Sequence, residues 1–538
     1  MIRTGIRRLA ALLGLLAVGL FLVPGTALAH AVLQSSEPRS GAVVQTAPPW
    51  VRVQFNEPVE AAFTPLMVYD RAGNRVDKGD AQVDPGDATA AIVGLQSLPE
   101  GFYTVSYRVT SADGHPVEGA YGFSVGAKAV EGEPLYQAKS TALVQAVGLV
   151  HGLAAWGVVL LAGLPLFLAF VWRPVFPQGA DRFTAILAGL AGGLILIGLG
   201  EVGLYAVRAS GEGFSAGILI QALFKSRVGL LWLLRMGLGL VAGLVLPGIA
   251  KWLGGPRLLT VINGLVAGGL LLTLSLSSHA AAAGGALPIL ADWLHLVAAS
   301  FWAGGLLGFV LALPGADREA LPQAVRRFSV VVTGAVLLLG TTGLYATLLH
   351  VDAWSELVKT EWGQSLVTKL VLLIPLLLLG LINLRREGRR PFRHLVAGEL
   401  VLITALFVAV GYLTSVPPAK VAALPQGPFA QTQTVDGLQV TLQIEPFQFG
   451  YNDALIQVAG RDGSPVAGAN VGLRITMLEH EMGKQDPEAK EEASGHYRAP
   501  EILLAMEGKW RVEVVILTAA GQEVRVPFEV RVPKQLAP

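Results

Sequence analysis

Long apolar segments dominate the middle of the chain. Eight of them lie between residues 141 and 415. Each holds about 20 apolar residues, which is the length that a helix needs to cross the hydrocarbon core of a bilayer. The segments run over residues 143–170, 183–207, 227–249, 258–278, 287–311, 328–349, 363–383 and 395–415. This pattern predicts an all-α polytopic membrane block of eight helices at 141–415.

The eight segments form two copies of one four-helix unit. The sequence HGLAA that starts at His151 in the first segment is echoed by HLVAA at His295 in the fifth. The sequence GLYA closes both the second and the sixth segment, starting at Gly203 and Gly343. Because each unit has an even number of helices, the two halves are predicted to lie parallel, related by an axis along the membrane normal. Chance recurrence in Gly- and Leu-rich helices is the alternative.

The basic residues predict the orientation of the block. Arginine and lysine are concentrated in the loops after the first, third, fifth and seventh segments, whereas the alternate loops carry Glu212, Glu356 and Glu361. Loops rich in arginine and lysine usually face the cytoplasm. Both regions that flank the block are therefore expected outside the membrane.

Alternating patterns of apolar and polar residues flank the block on both sides. Residues 30–126 contain runs such as VRVQF from Val51, and residues 431–538 contain runs such as LQVTLQI from Leu438. Gly and Pro turns separate these runs, as in small all-β domains. The pattern predicts a small β-sandwich or barrel before the block and a second β-rich domain after it.

A leader and two linkers complete the chain. Residues 1–29 begin with three arginines, continue with an apolar run and end on the small residues Ala-Leu-Ala29. They predict a secretory signal peptide that is cleaved after Ala29, which makes His30 the first mature residue. An uncleaved anchor is the alternative. The polar residues 127–140 and the Pro-rich residues 416–430 are predicted linkers.

Composition narrows the possible chemistry. The 538 residues carry a net charge of +1, which gives no reason to expect a nucleic-acid partner, and there is no cysteine. Disulfides and thiolate ligands are therefore excluded, and any metal must be held by His, Met, carboxylates or the amino terminus. A mature chain that begins at His30 offers an amine and an imidazole on one residue, which suits Cu(II).

Three N-terminal segments resemble the CopC family of exported copper-binding β-sandwich proteins. They are the start at His30, the sequence FNEPV around Glu57, and SADGHP around Asp113 and His115. The resemblance implies a Cu(II) site formed by the amine and imidazole of His30 with Asp113 and His115, and a supporting carboxylate at Glu57. The family's Met-rich Cu(I) motif is missing. The alternative is that the sequence Asp113-Gly-His115 forms an ordinary turn and binds no metal.

The helical block resembles the CopD family, which is found beside or fused to CopC-type domains. Within it, His151, Glu201 and His295 are expected about 9–12 Å below the outer surface. His279 and His350 are expected at the outer mouths of the fourth and sixth segments. Ionisable residues inside a membrane often mark a transport path. This arrangement predicts a copper path in which His279 and His350 feed His151 and His295.

Other interpretations of this polar layer remain open. In a purely structural layer, Glu201 pairs with Arg235, and the histidines hydrogen-bond to the backbone. In a haem site, His151 and His295 ligate one shared haem. Asp292, one helical turn before His295, is expected to fix the tautomer of that histidine.

The C-terminal domain resembles the immunoglobulin-like YtkA family through its GHY and MEGKW segments. Its sequence MLEHEM contains Met477, His480 and Met482, and His496 and Met506 follow later in the domain. Thioether and imidazole groups are suitable ligands for Cu(I). These five residues are therefore a candidate Cu(I) site. The alternative is that Met477 and Met506 lie in the core and that His480 is a solvated loop residue.

Together these features predict a copper-binding protein of the bacterial plasma membrane with both β domains on the outer face. We expect it to capture Cu(II) outside and to take part in copper import or homeostasis, not to be an enzyme. Its partners would be copper ions, the lipid bilayer and an external copper chaperone. The alternatives are a copper-dependent redox protein with haem in the block and a copper buffer or sensor that does not transport. No P-loop is recognised, so ATP hydrolysis by this chain is not expected.

Overall fold

The structure is a computed structural model that describes residues 31–532 apart from short gaps. The gaps are 32, 40–41, 112–113, 127–140, 177–181, 212, 250–255, 284, 315–316, 318, 352, 387–391, 420–428, 446, 448–449, 462, 480–483, 506–507 and 519–520. Backbone contacts divide the chain into two units. One unit holds the helical block together with the loop Thr110–Pro116, and the other holds the rest of both β domains.

The N-terminal domain is a β-sandwich of two four-stranded sheets with the orders β1-β3-β6-β5 and β2-β8-β7-β4. The strands are β1 Leu33–Glu37, β2 Val43–Val44, β3 Trp50–Phe55, β4 Leu66–Asp70, β5 Gln82–Asp84, β6 Asp87–Gly94, β7 Gly101–Thr110 and β8 Pro116–Val125. Alternation along β3 buries Val51, Val53 and Phe55 in a single core. The predicted sandwich is confirmed.

The C-terminal domain is also all-β, as predicted. Its strands are β9 Phe429–Val435, β10 Leu438–Glu445, β11 Gly450–Gly460, β12 Asn470–Met477, β13 Lys484–Gln485, β14 Glu488–Ala493, β15 His496–Leu504, β16 Gly508–Leu517 and β17 Glu523–Val532. They follow the order β17-β16-β12-β14-β15-β11-β10-β9, and β13 pairs with β12. The short strand β14 joins the two halves of this path, which enclose one hydrophobic core.

One polar cluster joins the two β domains within their unit. Asp453 accepts a hydrogen bond of 2.6 Å from Arg498 and one of 3.0 Å from the amide of Glu501. Arg39 of the N-terminal domain lies 3.7 Å from the same carboxylate. Burial by itself raises the pKa of Asp453, but the hydrogen bond from Arg498 helps to hold it below its ordinary value. The ionised carboxylate therefore faces a guanidinium from each domain.

In the described part of the chain, eight helices are long and apolar enough to cross a membrane, as predicted. In order, spans 1 to 8 are Ala142–Trp172, Phe183–Ser210, Arg227–Ile249, Arg257–Ser275, Ala286–Ala312, Leu321–His350, Glu361–Asn383 and Arg393–Leu413. Short helices at Ala216–Lys225, His279–Ala282 and Glu356–Lys359 lie between them. We call the end at which span 1 begins the first face, and the end at which span 1 ends the second face.

Packing inside the block follows the predicted duplication. Span 1 contacts spans 2, 4, 5 and 8, and span 5 contacts the matching spans 6, 8, 1 and 4. Spans 1 and 5 are thus the central pair, one from each half. Gly163 and Gly304 lie where they cross, and a Cβ on Gly163 would stand 2.0 Å from the carbonyl oxygen of Ser300. Only glycine permits this backbone contact, which is a common way to pack helices in lipid.

We therefore expect Gly163→Ala to destabilise the block by about 1–3 kcal/mol, because the added methyl group must push spans 1 and 5 apart. The matched control is Gly189→Ala in span 2, where a Cβ would meet no atom within 4 Å. Thermal unfolding of both variants in detergent measures the difference. Equal midpoints for the two variants would show that the crossing tolerates a side chain.

Candidate functional site

A small cavity opens in the helical unit near its first face. Its volume is about 80 Å³, which is room for about five water molecules. Most of its lining is apolar, and its charged, histidine and hydroxyl side chains come from the loop before β8, from spans 1 to 3 and from the residues that follow spans 4 and 8. These side chains are His115, His151, Glu201, Tyr205, Arg208, Arg235, Ser277 and Ser415.

A hydrogen-bonded network forms the floor of the cavity. His151 Nδ1 lies 2.7 Å from Glu201 Oε1, and Arg235 Nη1 lies 3.5 Å from Glu201 Oε2. Arg235 is almost fully buried, and its other hydrogens reach Thr273 and Ser277 at 3.1–3.2 Å. Glu201 therefore joins the histidine to the arginine, so the predicted structural pairing with Arg235 is present.

The network fixes the tautomer of His151. A carboxylate beside a guanidinium has only acceptor atoms, so the hydrogen between His151 and Glu201 belongs to Nδ1 of the ring. In the neutral ring the lone pair then lies on Nε2. The same carboxylate–histidine pairing orients metal-binding histidines in known metal sites. In this arrangement Glu201 positions His151, and its role as a ligand on a metal path stays a prediction.

His295 has the same tautomer, but a different partner fixes it. Its Nδ1 lies 2.8 Å from Thr342 Oγ1, and that hydroxyl donates its only hydrogen to the carbonyl of Leu338 at 2.7 Å. Thr342 must therefore accept from His295, which leaves the lone pair on Nε2. Asp292 accepts a hydrogen bond from Ser278. The prediction that Asp292 fixes His295 is wrong, because the neighbouring helix supplies a closer partner.

Three histidines line up at the first face. The ring of His115 stacks on the ring of His279, with centroids 5.0 Å apart and planes 25° apart. The ring of His279 meets that of His350 edge-on at 6.0 Å, and His350 in turn contacts Trp362 at 5.9 Å. His279 and His350 are each 6% exposed. We call His115, His279 and His350 the histidine row.

Local backbone geometry brings His115 to this row. Gly114 has a φ of +86°, a conformation that side chains rarely adopt,. A Cβ at Gly114 would also stand 2.8 Å from Val228 at the start of span 3. The hydroxyls of Thr110 and Tyr205 lie 3.3 Å apart on the other side of the loop. Glycine at 114 therefore permits the tight turn that carries His115.

The predicted Cu(II) site lies only partly within the described residues. His30 and Asp113 lie outside them, whereas His115 lines the cavity and Glu57 is 8% exposed. In the described part of the chain, no group of three His, Asp or Glu side chains is arranged to hold a metal ion. With two of its three ligands outside the described residues, the histidine brace stays a prediction.

Only two residues of the predicted Cu(I) set, Met477 and His496, lie among the described residues. Met477 is 5% exposed and belongs to the core of the C-terminal domain, as the alternative interpretation held. His480, Met482 and Met506 lie outside the described residues.

His496 cannot join Met477. Gln485 pairs with Ile475 near the end of β12 and donates a hydrogen bond to the carbonyl of Leu503. Met477 therefore lies near the end of β15, whereas His496 begins that strand and is exposed. Seven residues of strand separate His496 from Leu503, or about 23 Å. The grouping of His496 with Met477 is wrong, because sequence spacing did not reveal which strand ends are neighbours.

Two features of the site were missed by sequence reasoning. Thr342 follows Thr341, the position that matches Glu201 when the GLYA motifs of the two halves are aligned. That alignment could have suggested a polar partner for His295. The stacking of His115 on His279 had no local signal, because these residues lie far apart in the sequence.

Three family descriptions match parts of the chain. The CopC domain matches residues 33–126, Copper resistance protein D matches residues 322–413, and the YtkA-like family matches residues 432–515. The second match covers spans 6 to 8 only.

Known proteins are similar to the whole chain or to its N-terminal part. Copper transport protein CutJ of Bacillus subtilis is 29% identical over 532 residues, which is 95% of this chain and 97% of that protein. Protein YobA of Escherichia coli K12 is 35% identical over 105 residues, which is 19% of this chain and 85% of YobA. The crystal structure of CopC from Methylosinus trichosporium OB3b shares 32% identity and covers 20% of this chain and all of that one, with a TM-score of 0.17.

The eight spans, the cavity near the first face and the two β domains define a multi-pass membrane protein with a histidine-lined site. The chain belongs to the CopC family and combines its CopC domain with CopD and YtkA-like domains in a CopC–CopD fusion protein.

Proposed function

We propose that this protein transports copper, passing the ion from the CopC-domain loop into the membrane block. The observation that carries the proposal is the stacking of His115 on His279 at a centroid distance of 5.0 Å. A metal ion bound at one ring is then a single ligand exchange away from the other. A relative that matches nearly the full length of this chain is named a copper transport protein.

The proposed capture site is the Cu(II) brace of His30, Asp113 and His115, supported by Glu57. His115 would therefore have two roles, as a ligand of the captured ion and as the first ring of the histidine row. From His279 and His350 the ion would move to the deeper histidines.

The two deeper histidines, His151 and His295, are oriented so that a ring nitrogen can bind a metal ion. His151 and His295 each hold Nδ1–H in a hydrogen bond, so the neutral ring of each offers its Nε2 lone pair to a metal ion. The charge of Arg235 is partly balanced by Glu201, which reduces its repulsion of a cation in the cavity. Because the cost of burying an ion grows with the square of its charge, this path suits Cu(I) better than Cu(II).

The proposed orientation places the first face outside the cell. The histidine row and the cavity lie at this face, whereas Arg385 and Arg393 are exposed near the second face. Basic residues at the ends of the spans favour the cytoplasmic side. Both β domains would then lie outside the plasma membrane, where the predicted signal peptide would deliver them.

The cavity does not favour the haem alternative. Pockets for ligands of cofactor size enclose roughly 300–1,000 Å³, whereas this cavity measures about 80 Å³. A metal ion with one or two waters fits that volume. Transport is therefore the better proposal than redox catalysis through a haem in this cavity.

The test is the uptake of radioactive copper into proteoliposomes that contain the full-length mature protein. We expect His151→Ala/His295→Ala to reduce uptake to the level of empty vesicles, because both intramembrane ligands are lost. The matched control is His394→Ala, an exposed histidine near the second face, which should keep wild-type uptake.

Copper binding outside the membrane is measured on the same samples by equilibrium dialysis. Wild-type protein that binds copper but takes up none would contradict transport and would favour the buffer or sensor alternative. Full uptake by the double variant would instead remove His151 and His295 from the path.

A further inference from the structure

A second polar group is buried in the half of the block nearest the second face. Glu399 lies in span 8, and its neighbour Asn383 lies in span 7. They are 3% and 7% exposed. Glu399 follows the start of its helix at Phe392 by seven residues, or about 10 Å of helix rise. Neither residue lines the cavity near the first face.

The hydrogen bonds of Glu399 and Asn383 among the described residues leave one buried polar atom unsatisfied. Asn383 Nδ2 donates a hydrogen bond to Glu399 Oε1, and the side chain of Trp302 in span 5 supplies a second one. Asn383 Oδ1 is buried and has no hydrogen-bond partner among the residues that the structure describes. A buried amide oxygen without a donor costs about 1–3 kcal/mol. The site therefore lacks one donor that points at Asn383 Oδ1.

No cation compensates Glu399 among the described residues. Span 8 packs against spans 1, 5 and 7, and the halves of spans 1 and 5 nearest the second face contain no Asp, Glu, His, Lys or Arg. Of the basic groups nearest in sequence, the three whose side chains the structure describes, Arg385, Arg393 and His394, are exposed at the end of the block. An unpaired carboxylate in an apolar membrane interior is unfavourable, so the neutral acid is the preferred form.

The neutral acid also supplies the missing donor. A carboxylic acid and a primary amide can form two reciprocal hydrogen bonds, in which the acid O–H donates to the amide oxygen and the amide N–H donates to the acid oxygen. The bond from the amide N–H to the acid oxygen is already present between Asn383 and Glu399. A proton on Glu399 Oε2 would form the other bond by donating to Asn383 Oδ1.

We propose that Glu399 and Asn383 form a proton-binding site in the membrane block. Glu399 carries the proton on Oε2, Asn383 accepts it in a hydrogen bond, and Trp302 donates to the acid. The short distance to the end of spans 7 and 8 lets this proton exchange with water at the second face. The site gives the block a titratable group that is separate from the histidine path, and it does not depend on copper transport.

Infrared spectroscopy of the full-length protein in lipid vesicles tests the proposal. At pH 7 the wild-type spectrum should contain a carbonyl band of a protonated carboxyl group, which shifts in deuterated water. Glu399→Gln should remove this band, because glutamine is of the same size and cannot be protonated in this range. Glu319→Gln, an exposed change in the loop before span 6, should leave the band unchanged.

Asn383→Leu removes the amide partner of Glu399 and leaves the carboxyl group that carries the proton. The band should remain in this variant but move to higher frequency, because the acid has lost its amide partner. Raising the pH in wild-type vesicles should reduce the band, which keeps the test decisive if a variant folds poorly. Spectra of wild type and Glu399→Gln that coincide in this region would overturn the proposal, and so would a band that Asn383→Leu leaves at the same frequency.

Discussion

Replacing Glu201 by leucine is expected to lower the free energy of unfolding by about 3–5 kcal/mol. The change leaves the guanidinium of Arg235, which is 3% exposed, without its carboxylate in the membrane interior. It also leaves His151 Nδ1 without its acceptor. The measurement is the unfolding free energy in mixed micelles, obtained by titration with a denaturing detergent.

A second substitution shows whether the loss of stability comes from the unpaired charge of Arg235. Glu201→Leu/Arg235→Met removes both charges, so the double variant should recover most of the lost stability. The control is Glu361→Gln, a change near the first face at an exposed carboxylate that contacts Tyr412. If the double variant is no more stable than Glu201→Leu alone, the buried charge of Arg235 is not the source of the loss.

In the N-terminal domain, Asp77→Asn is expected to cost about 2–3 kcal/mol. The carboxylate of Asp77 is fully buried and accepts hydrogen bonds of 2.8–2.9 Å from Arg75 and from the amides of Val68 and Gly79. An asparagine has only one acceptor oxygen, so its amide group would face one of these donors. Hydrogen exchange of the β4 amides in the full-length protein measures the loss, with the exposed change Glu100→Gln as control.

The same carboxylate makes the domain sensitive to acid. Burial alone raises the pKa of Asp77, but the hydrogen bonds from Arg75, Val68 and Gly79 outweigh it and hold the pKa below its ordinary value. The ordinary value is about 3.9. Its stabilisation is therefore complete above that pH and is lost as the pH falls through the lower folded-state pKa.

Exchange rates measured from pH 6 down to pH 3, corrected for the intrinsic rate, should show this loss in wild type. Asp77→Asn lacks the titrating group and should show a smaller change over the same range. An equal pH dependence in the two proteins would assign the acid sensitivity to other carboxylates.

Element type and order could be predicted because they depend on short-range patterns. The first predicted segment, 143–170, became Ala142–Trp172, since apolar length alone decides whether a helix can span lipid. Span 6 starts at Leu321, seven residues before the predicted segment 328–349. Polar residues such as Arg326 and Arg327 continue the helix beyond the apolar stretch, and hydropathy cannot detect that extension.

The candidate site could be predicted only in part. His151, Glu201, His279 and His350 were identified because an ionisable residue in an apolar segment is visible in the sequence. The grouping of Met477 with His496 failed, because it rested on the ligand chemistry of the two side chains and not on their positions in the sheet. Their true positions follow from the pairing of β12 to β15, which involves residues far apart in the chain.

The sequence by itself determined the eight spans, the β domain on each side and the duplication of the block, because each is written in local periodicity or repeated motifs. The tertiary structure decided which side chains meet. It stacks His115 on His279, gives His295 the hydroxyl of Thr342, and places Asn383 beside Glu399. The physical reason is that tautomers and buried hydrogen bonds depend on partners from neighbouring helices, and only the packing of those helices brings the partners within reach.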